Sequence, residues 1–196
     1  MDRGISRAEI KTRYEELKTL VVNRKEQFKE LIRFMENETA WLISPASTRF
    51  HLYEEGGLLH HSVNVADTIL RVKACLAPHI SDESCVVVAL LHDLGKAGMP
   101  GNPQYIVNEP SDKQKMYGYK PEYPYRFNQQ LTYLSVPVRS VYLISKYMEL
   151  TEEEVQAIIY HDGQYVEDNR SVATHEEPLT LLLQYADSWS GFVLEK

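Results

Sequence analysis

Apolar residues recur along the first part of this chain in a three-four alternation: Ile10, Tyr14, Leu17, Val21, Phe28, Leu31 and Met35. That is the stripe of an amphipathic helix with one face on a core, and it breaks near Asn23. Ser6 with Glu9 three places on forms a capping box that predicts its start. After the interruption "SPAST" and the Gly56-Gly57 pair, residues 58–77 predict a second helix, stopped by Pro78. Ser81 followed by Asp82 and Glu83 predicts the start of a third. It runs through the apolar Val86–Leu91 to about Leu94, with Gly95 as a left-handed stop. Helices resume over Val138–Glu149. Thr151 with Glu154 makes another capping box leading into "VQAIIYHDG", and Pro178 suits the first turn of "LTLLLQYADSWSGF".

Residues 97–135 break this pattern with five prolines and six tyrosines. The segment predicts an ordered insertion containing a short β-hairpin, with most of the tyrosines forming the hairpin's own core. The expected fold is therefore an all-α bundle with one irregular excursion. One domain is expected over 1–196, with 1–44 a helical N-terminal extension and 97–135 an insertion. The extension's stripe suits packing on its own domain or on a second subunit of a homodimer.

Composition narrows the function classes. A hydrophobic content of 43% and a charged content of 25% are ordinary for a water-exposed globular protein. The formal charge of −7 argues against duplex DNA as a partner and leaves phosphate recognition to a few local cations or a metal. Cys75 and Cys85 lack zinc-cluster spacing, and two cysteines make no disulfide framework. The start "MDRGISRAEIKTRYEEL" has no apolar core of a leader peptide, and no window reaches the length of a membrane span. A cytoplasmic protein without membrane partners is the expectation.

Four segments place ligand-capable residues on or beside apolar helices: "GGLLHHS" with His60 and His61, "LLHDLGK" with His92 and Asp93, "IIYHDGQY" with His161 and Asp162, and "LLLQYADSW" with Asp187. Imidazole and carboxylate together suit a borderline divalent cation such as Mn, Fe, Co, Ni or Zn. Ligands from several helices can converge inside a bundle, and a divalent ion compensates two buried aspartates. Any one of these dipeptides alone reads more readily as helix-end polarity than as a site, whereas four together point to a site. The lone His79 and His175 read as surface or capping residues.

The order of a histidine after "GGLL", then "HD" with "LGK", then an aspartate in "ADS" resembles the HD-domain metal-dependent phosphohydrolase superfamily. The resemblance covers roughly residues 45–190. It is densest over "SPASTRFHLYEEGGLLHHSVNVA" and "LLHDLGK", similar to HD domains of bacterial 3′→5′ exoribonucleases and of stand-alone hydrolases. About forty residues precede the match, too few for the oligonucleotide-binding domain such exonucleases carry. The resemblance implies an HD-type helical bundle with His61, His92, Asp93 and Asp187 holding one cation per chain, and His60 a neighbour or incidental. Two-metal relatives add two histidines. His161 matches the later one, but the earlier place reads "LTYLSVPVRSV" and holds none.

The activity so implied is hydrolysis of a phosphate ester of a nucleotide or related small molecule. A cation acidifies water and polarises the phosphoryl oxygen. Asp93 ligates and orients that water, and His161 is free to protonate a leaving group. Where HD nucleotidases often carry glutamate, this chain has Lys96, which suits stabilising developing charge or matching a helix C-terminus. Asp162, Gln164, Tyr165, Tyr117, Tyr119 and Arg126 are the candidate substrate contacts. The alternatives are a phosphodiesterase or exonuclease acting on short single-stranded nucleic acid, and a non-catalytic sensor of metal or nucleotide.

Overall fold

The interrupted stripe forms two helices, α1 (Arg7–Lys18) and α2 (Lys25–Glu38), in a computed structural model that describes residues 6–195. Residues 1–5 of the expected extension, and residue 196, lie outside the described residues. The predicted capping box forms, Ser6 accepting from the Glu9 amide while Glu9 accepts from the Ser6 amide. A helix can break at 22–24 only if its freed amides find other acceptors. Glu83 supplies them, taking N–H donors from Val22 at 2.9 Å and Asn23 at 2.7 Å and the Arg24 guanidinium at 2.9 Å. Arg24 also reaches the fully buried Glu154 at 2.6 Å. Ile10, Tyr14, Leu17, Phe28, Leu31 and Met35 are all buried within this chain.

Helix α3 spans Gly57–Leu76, and α4 spans Asp82–Leu91 with Ser81 accepting from the Ser84 amide. A Cβ on Gly57 would lie 2.0 Å from the Leu52 carbonyl, so the close approach of the preceding loop selects glycine there. Helix α4 ends earlier than its pattern predicts. It stops at Leu91, and Leu94–Ala97 form a 3₁₀ turn. Gly95 is not the left-handed stop; a positive φ occurs instead at Gly98, at φ +78° and ψ −146°, after the 3₁₀ turn. Gly95 is required instead by contact, since a Cβ there would stand 2.2 Å from the Val136 carbonyl. Gly95→Ala is expected to cost about 1–3 kcal/mol by overpacking. The check is a thermal melt, in which each kcal/mol lowers Tm by roughly 2–4 °C for a chain of this size.

The insertion holds β1 (Tyr105–Val107), the short helix α5 (Asp112–Met116) and β2 (Tyr125–Phe127). The strands pair antiparallel with Ile106 opposite Arg126. A hairpin is present, but its tyrosines do not form its core. Only Tyr105 is buried, Tyr123 and Tyr125 are half-buried, and Tyr117, Tyr119 and Tyr133 are exposed. A two-stranded ribbon has too little area to enclose six rings, so most of them face outward.

Helix α6 runs over Val136–Ile144, two residues earlier and five shorter than expected at its ends. Pro137 fits the first turn because its missing N–H would have no partner there. At the far end Tyr147 bonds back to the Ile144 carbonyl at 2.9 Å, tightening the chain into a turn. Helix α7 (Glu152–Ile159) begins at the Thr151–Glu154 box, and α8 (Pro178–Trp189) begins at Pro178, as their sequences predict.

These elements make an all-α fold with a small hairpin, and their buried apolar side chains form one cluster from Ile10 to Ala186. Helix α4 lies at its centre, with every residue from Cys85 to Leu91 fully enclosed. That burial pushes the Cys85 thiol up to about 12, while Cys75 is exposed, and both are free. One thiol per chain should therefore react with a disulfide reagent at pH 8, and two after denaturation. No helix among the described residues is long and apolar enough to cross a membrane.

Candidate metal centre

The buried α4 delivers His92 and Asp93 to the middle of the molecule, and the turn after them is clamped from α6. Ser140 Oγ accepts from the Gly95 amide at 2.8 Å and lies 2.7 Å from the His92 carbonyl. The buried Arg139 donates to Gly95 O, Gln104 and Thr132 O, pinning the insertion against the same turn. His61 arrives from the first turns of α3, His161 just past α7, and Asp187 from the last turn of α8.

Each of the three imidazoles is fixed by its Nδ1. His92 Nδ1 lies 2.8 Å from Ala89 O and His161 Nδ1 2.8 Å from Ile158 O, the same three-residue reach back to a helical carbonyl. His61 Nδ1 meets the Glu195 carboxylate at 3.0 Å. Carbonyls and carboxylates only accept, so in the neutral ring Nδ1 carries the proton and Nε2 presents a lone pair inward. His61 Nε2 stands 3.0 Å from Asp187 Oδ1 and 3.8 Å from Asp93 Oδ2. His92 Nε2 is 3.5 Å from Asp93 Oδ2, and His161 Nε2 is 3.6 Å from Asp93 Oδ1. His92 Nε2 is buried without a hydrogen-bond partner among the described residues, and His61 Nε2 is buried against the Asp187 carboxylate.

This donor set fits a divalent cation. Ligand atoms at roughly 2.0–2.2 Å from an ion stand about 3–3.5 Å from one another, close to the separations found here. The groups His61–His92–Asp187 and His92–Asp93–His161 each bring one ligand atom per residue within 4.8 Å of the others. An orphaned buried nitrogen facing carboxylates is otherwise costly, and a cation satisfies both.

The charges are strongly coupled. Burial alone would raise the Asp93 carboxyl, yet the Lys96 ammonium, 2.5 Å away, and the surrounding imidazoles hold it well below the carboxylate range. Burial disfavours the charged form of His61, but Asp187 and Glu195 push it up to about 10. His161 is pushed up to about 9 by Asp93 and Asp162 against the same penalty. Burial takes His92 the other way, to about 4.

Above the cluster opens a cleft of about 830 Å³. Of the residues singled out in the sequence, His61, Asp93, Lys96, His161, Asp187, Asp162, Tyr165 and Arg126 line it. His92 lies beneath it, and three of the candidate substrate contacts stand away from it. Tyr117 and Tyr119 stand exposed on the insertion, and Gln164 turns to Glu176 at 3.2 Å. Their pattern of polarity near a motif was real, but nothing local fixes which way a loop residue faces. His60 is half-buried beside its neighbour and belongs to none of the ligand groups.

Residues without a motif of their own also belong to the site: Arg49, Phe50 and His51 from the loop before α3 line the cleft, and Glu195 lies behind His61 and His51. His51 lies within the "SPASTRFHLYEE" stretch and was the one signal available. Its position comes from Ser47, whose Oγ accepts from the amides of Phe50 at 2.8 Å and His51 at 3.1 Å. A buried His/Asp cluster on an all-α frame, compatible with an HD-like metal site, is what the fold and site define. The chain matches no protein-family model, no curated protein and no solved structure.

Proposed function

We propose that this chain is a metal-dependent phosphohydrolase of the HD type, cleaving a phosphate ester of a nucleotide or related small molecule with water. The observation that carries the reading is the convergence of three buried imidazole nitrogens, His61 Nε2, His92 Nε2 and His161 Nε2, on Asp93 and Asp187 beneath an open cleft, with His92 Nε2 left without a hydrogen-bond partner among the described residues. His61, His92, Asp93 and Asp187 would hold the cation. When bound, it supplies a Lewis acid for the phosphoryl oxygen and lowers the pKa of water in the site.

The chain's own residues then have distinct tasks. The Lys96 ammonium, locked to Asp93, presents positive charge at the cleft floor where the phosphoryl group gains negative charge. His161, whose Nε2 lies 3.6 Å from Asp93 Oδ1 and 3.7 Å from Asp162 Oδ1, would donate its Nε2 proton to the leaving oxygen. Arg126 and Arg49 line the outer cleft and offer charge to a further phosphate.

A diester substrate is favoured by one specific feature. Phe50, Phe127, Tyr165 and Phe192 expose their rings at the rim, as a path for successive bases of a short single strand requires. The test is metal analysis of the purified protein beside a Mn²⁺-supplemented hydrolysis screen. The substrates are p-nitrophenyl phosphate, bis-p-nitrophenyl phosphate, mononucleotides and short oligonucleotides. Turnover with bound cation near one per chain supports the enzyme and separates monoester from diester chemistry. Bound cation with no turnover on any of them moves the reading to a sensor, and no cation binding overturns it.

A further inference from the structure

Among the described residues, Glu195 is the one buried carboxylate near the centre that no step above uses. Its side chain is 1% exposed. It accepts from three side chains on two other parts of the chain: His51 Nδ1 at 2.6 Å, His61 Nδ1 at 3.0 Å and Asn64 Nδ2 at 2.9 Å. Among the described residues no lysine or arginine pairs with it. Asn64 sits one helical turn beyond His61 on α3, and the His51 ring packs edge-on against His61 with centroids 4.9 Å apart. The carboxylate is brought there by a π-helical turn, Ser190–Leu194, that follows directly on Asp187's helix and closes with Glu195 N–H on Ser190 O at 3.1 Å.

Burying a carboxylate is costly unless its oxygens are saturated with donors, and here each donor is oriented by another element. His51 is held by the Ser47 turn, and Asn64 by its helix. The result is a one-directional arrangement. Glu195 can only accept, so it requires the proton of neutral His61 on Nδ1 and turns the Nε2 lone pair toward Asp187 and Asp93. His92 and His161 are backed by neutral backbone carbonyls, Ala89 and Ile158. His61 alone of the three is backed by a full negative charge, which makes it the most basic nitrogen of the set.

We infer that Glu195 is the positioning residue for the metal ligand His61, and that His51 and Asn64 exist at this site to hold Glu195 in place. The inference rests on the metal-centre reading above. It assigns no ligand role to Glu195: His61 Nε2 faces the cation site, whereas Glu195 contacts only Nδ1 on the far edge of the ring.

The experiment is Co²⁺ binding by the full chain, read both by competition with a chromogenic chelator and by the visible absorption of the bound ion. Wild type is compared with Glu195→Gln and Glu195→Ala, and the melting of all three is recorded without cation. Glu195→Gln keeps the side-chain length, so it carries the test should Glu195→Ala fail to fold. The expected result is binding weakened by about 10–100-fold. It comes with a shifted Co²⁺ band, and the cation-free Glu195→Gln protein melts within a few degrees of wild type. Unchanged affinity and an unchanged band in both variants would overturn the positioning role. Two Co²⁺ per chain in wild type, reduced to one in the variants, would overturn it in favour of Glu195 as a ligand. Wild type that binds no Co²⁺ overturns the metal centre itself, an outcome distinct from a defect confined to the variants.

Discussion

Asp93→Ala is expected to abolish the proposed cation binding and hydrolysis and also to destabilise the fold. The carboxylate is fully enclosed and stands at the meeting point of the site, within 3.8 Å of His61, His92 and His161 and 2.5 Å from Lys96. Removing it deletes a ligand and strands a largely buried ammonium. Breaking one partner of a buried pair costs about 3–5 kcal/mol. Cation affinity should fall by more than the roughly 10–100-fold that losing an outer hydrogen-bond partner costs. Asp93→Asn separates the two effects, since the amide oxygen still accepts from Lys96. It should melt closer to wild type yet remain inactive, with cation content measured by elemental analysis. An Asp93→Asn protein that keeps both cation and turnover would exclude Asp93 from the centre.

Cation affinity should rise about tenfold per pH unit from pH 7 to 9, the signature of one proton displaced per ion bound. The proton is that of His61, whose Nε2 must be free to ligate. In the cation-free protein, Asp187 and Glu195 push this imidazole up to about 10 against the penalty of burial, so it is charged at neutral pH. His92, pushed down to about 4 by burial, is already neutral and releases nothing. Titration calorimetry in two buffers of different ionisation enthalpy counts the protons directly. A count of two would place His161 on the cation and remove it as the acid. The sign for the cation-free fold is opposite. A His61 value above its unfolded ~6.5 contributes stability that is complete below that pH and lost as pH rises through about 10.

Helix starts were readable because capping is local: the Ser6–Glu9 and Thr151–Glu154 boxes, Ser81 and Pro178 act within one turn of chain. The break at Asn23 was also visible, as a gap in the stripe. What holds that break together was not, since Glu83 and Glu154 lie 60 and 130 residues away in sequence. The end of α4 was misplaced for a related reason. Gly95 reads as a helix stop, but its role is to let Val136 approach, and that contact crosses from another helix.

The candidate site divides along the same line. Residue type and apolar setting were enough to nominate four segments, with His60, His61, His92, Asp93, His161, Asp162 and Asp187, because a cation demands particular donors and a buried helix demands apolar neighbours. The choice of His61, His92, Asp93 and Asp187 as ligands was what the resemblance to the HD superfamily implied. Their distances, the Nδ1 partners that aim each ring, and the contributions of His51, Asn64 and Glu195 come from packing between segments far apart in the chain. Loop direction likewise sent Tyr117, Tyr119 and Gln164 away from the cleft and brought Phe50 and Arg49 to it. Local chemistry is written in neighbouring residues. Orientation is an outcome of burial and hydrogen bonding across the whole core, and only the folded chain decides it.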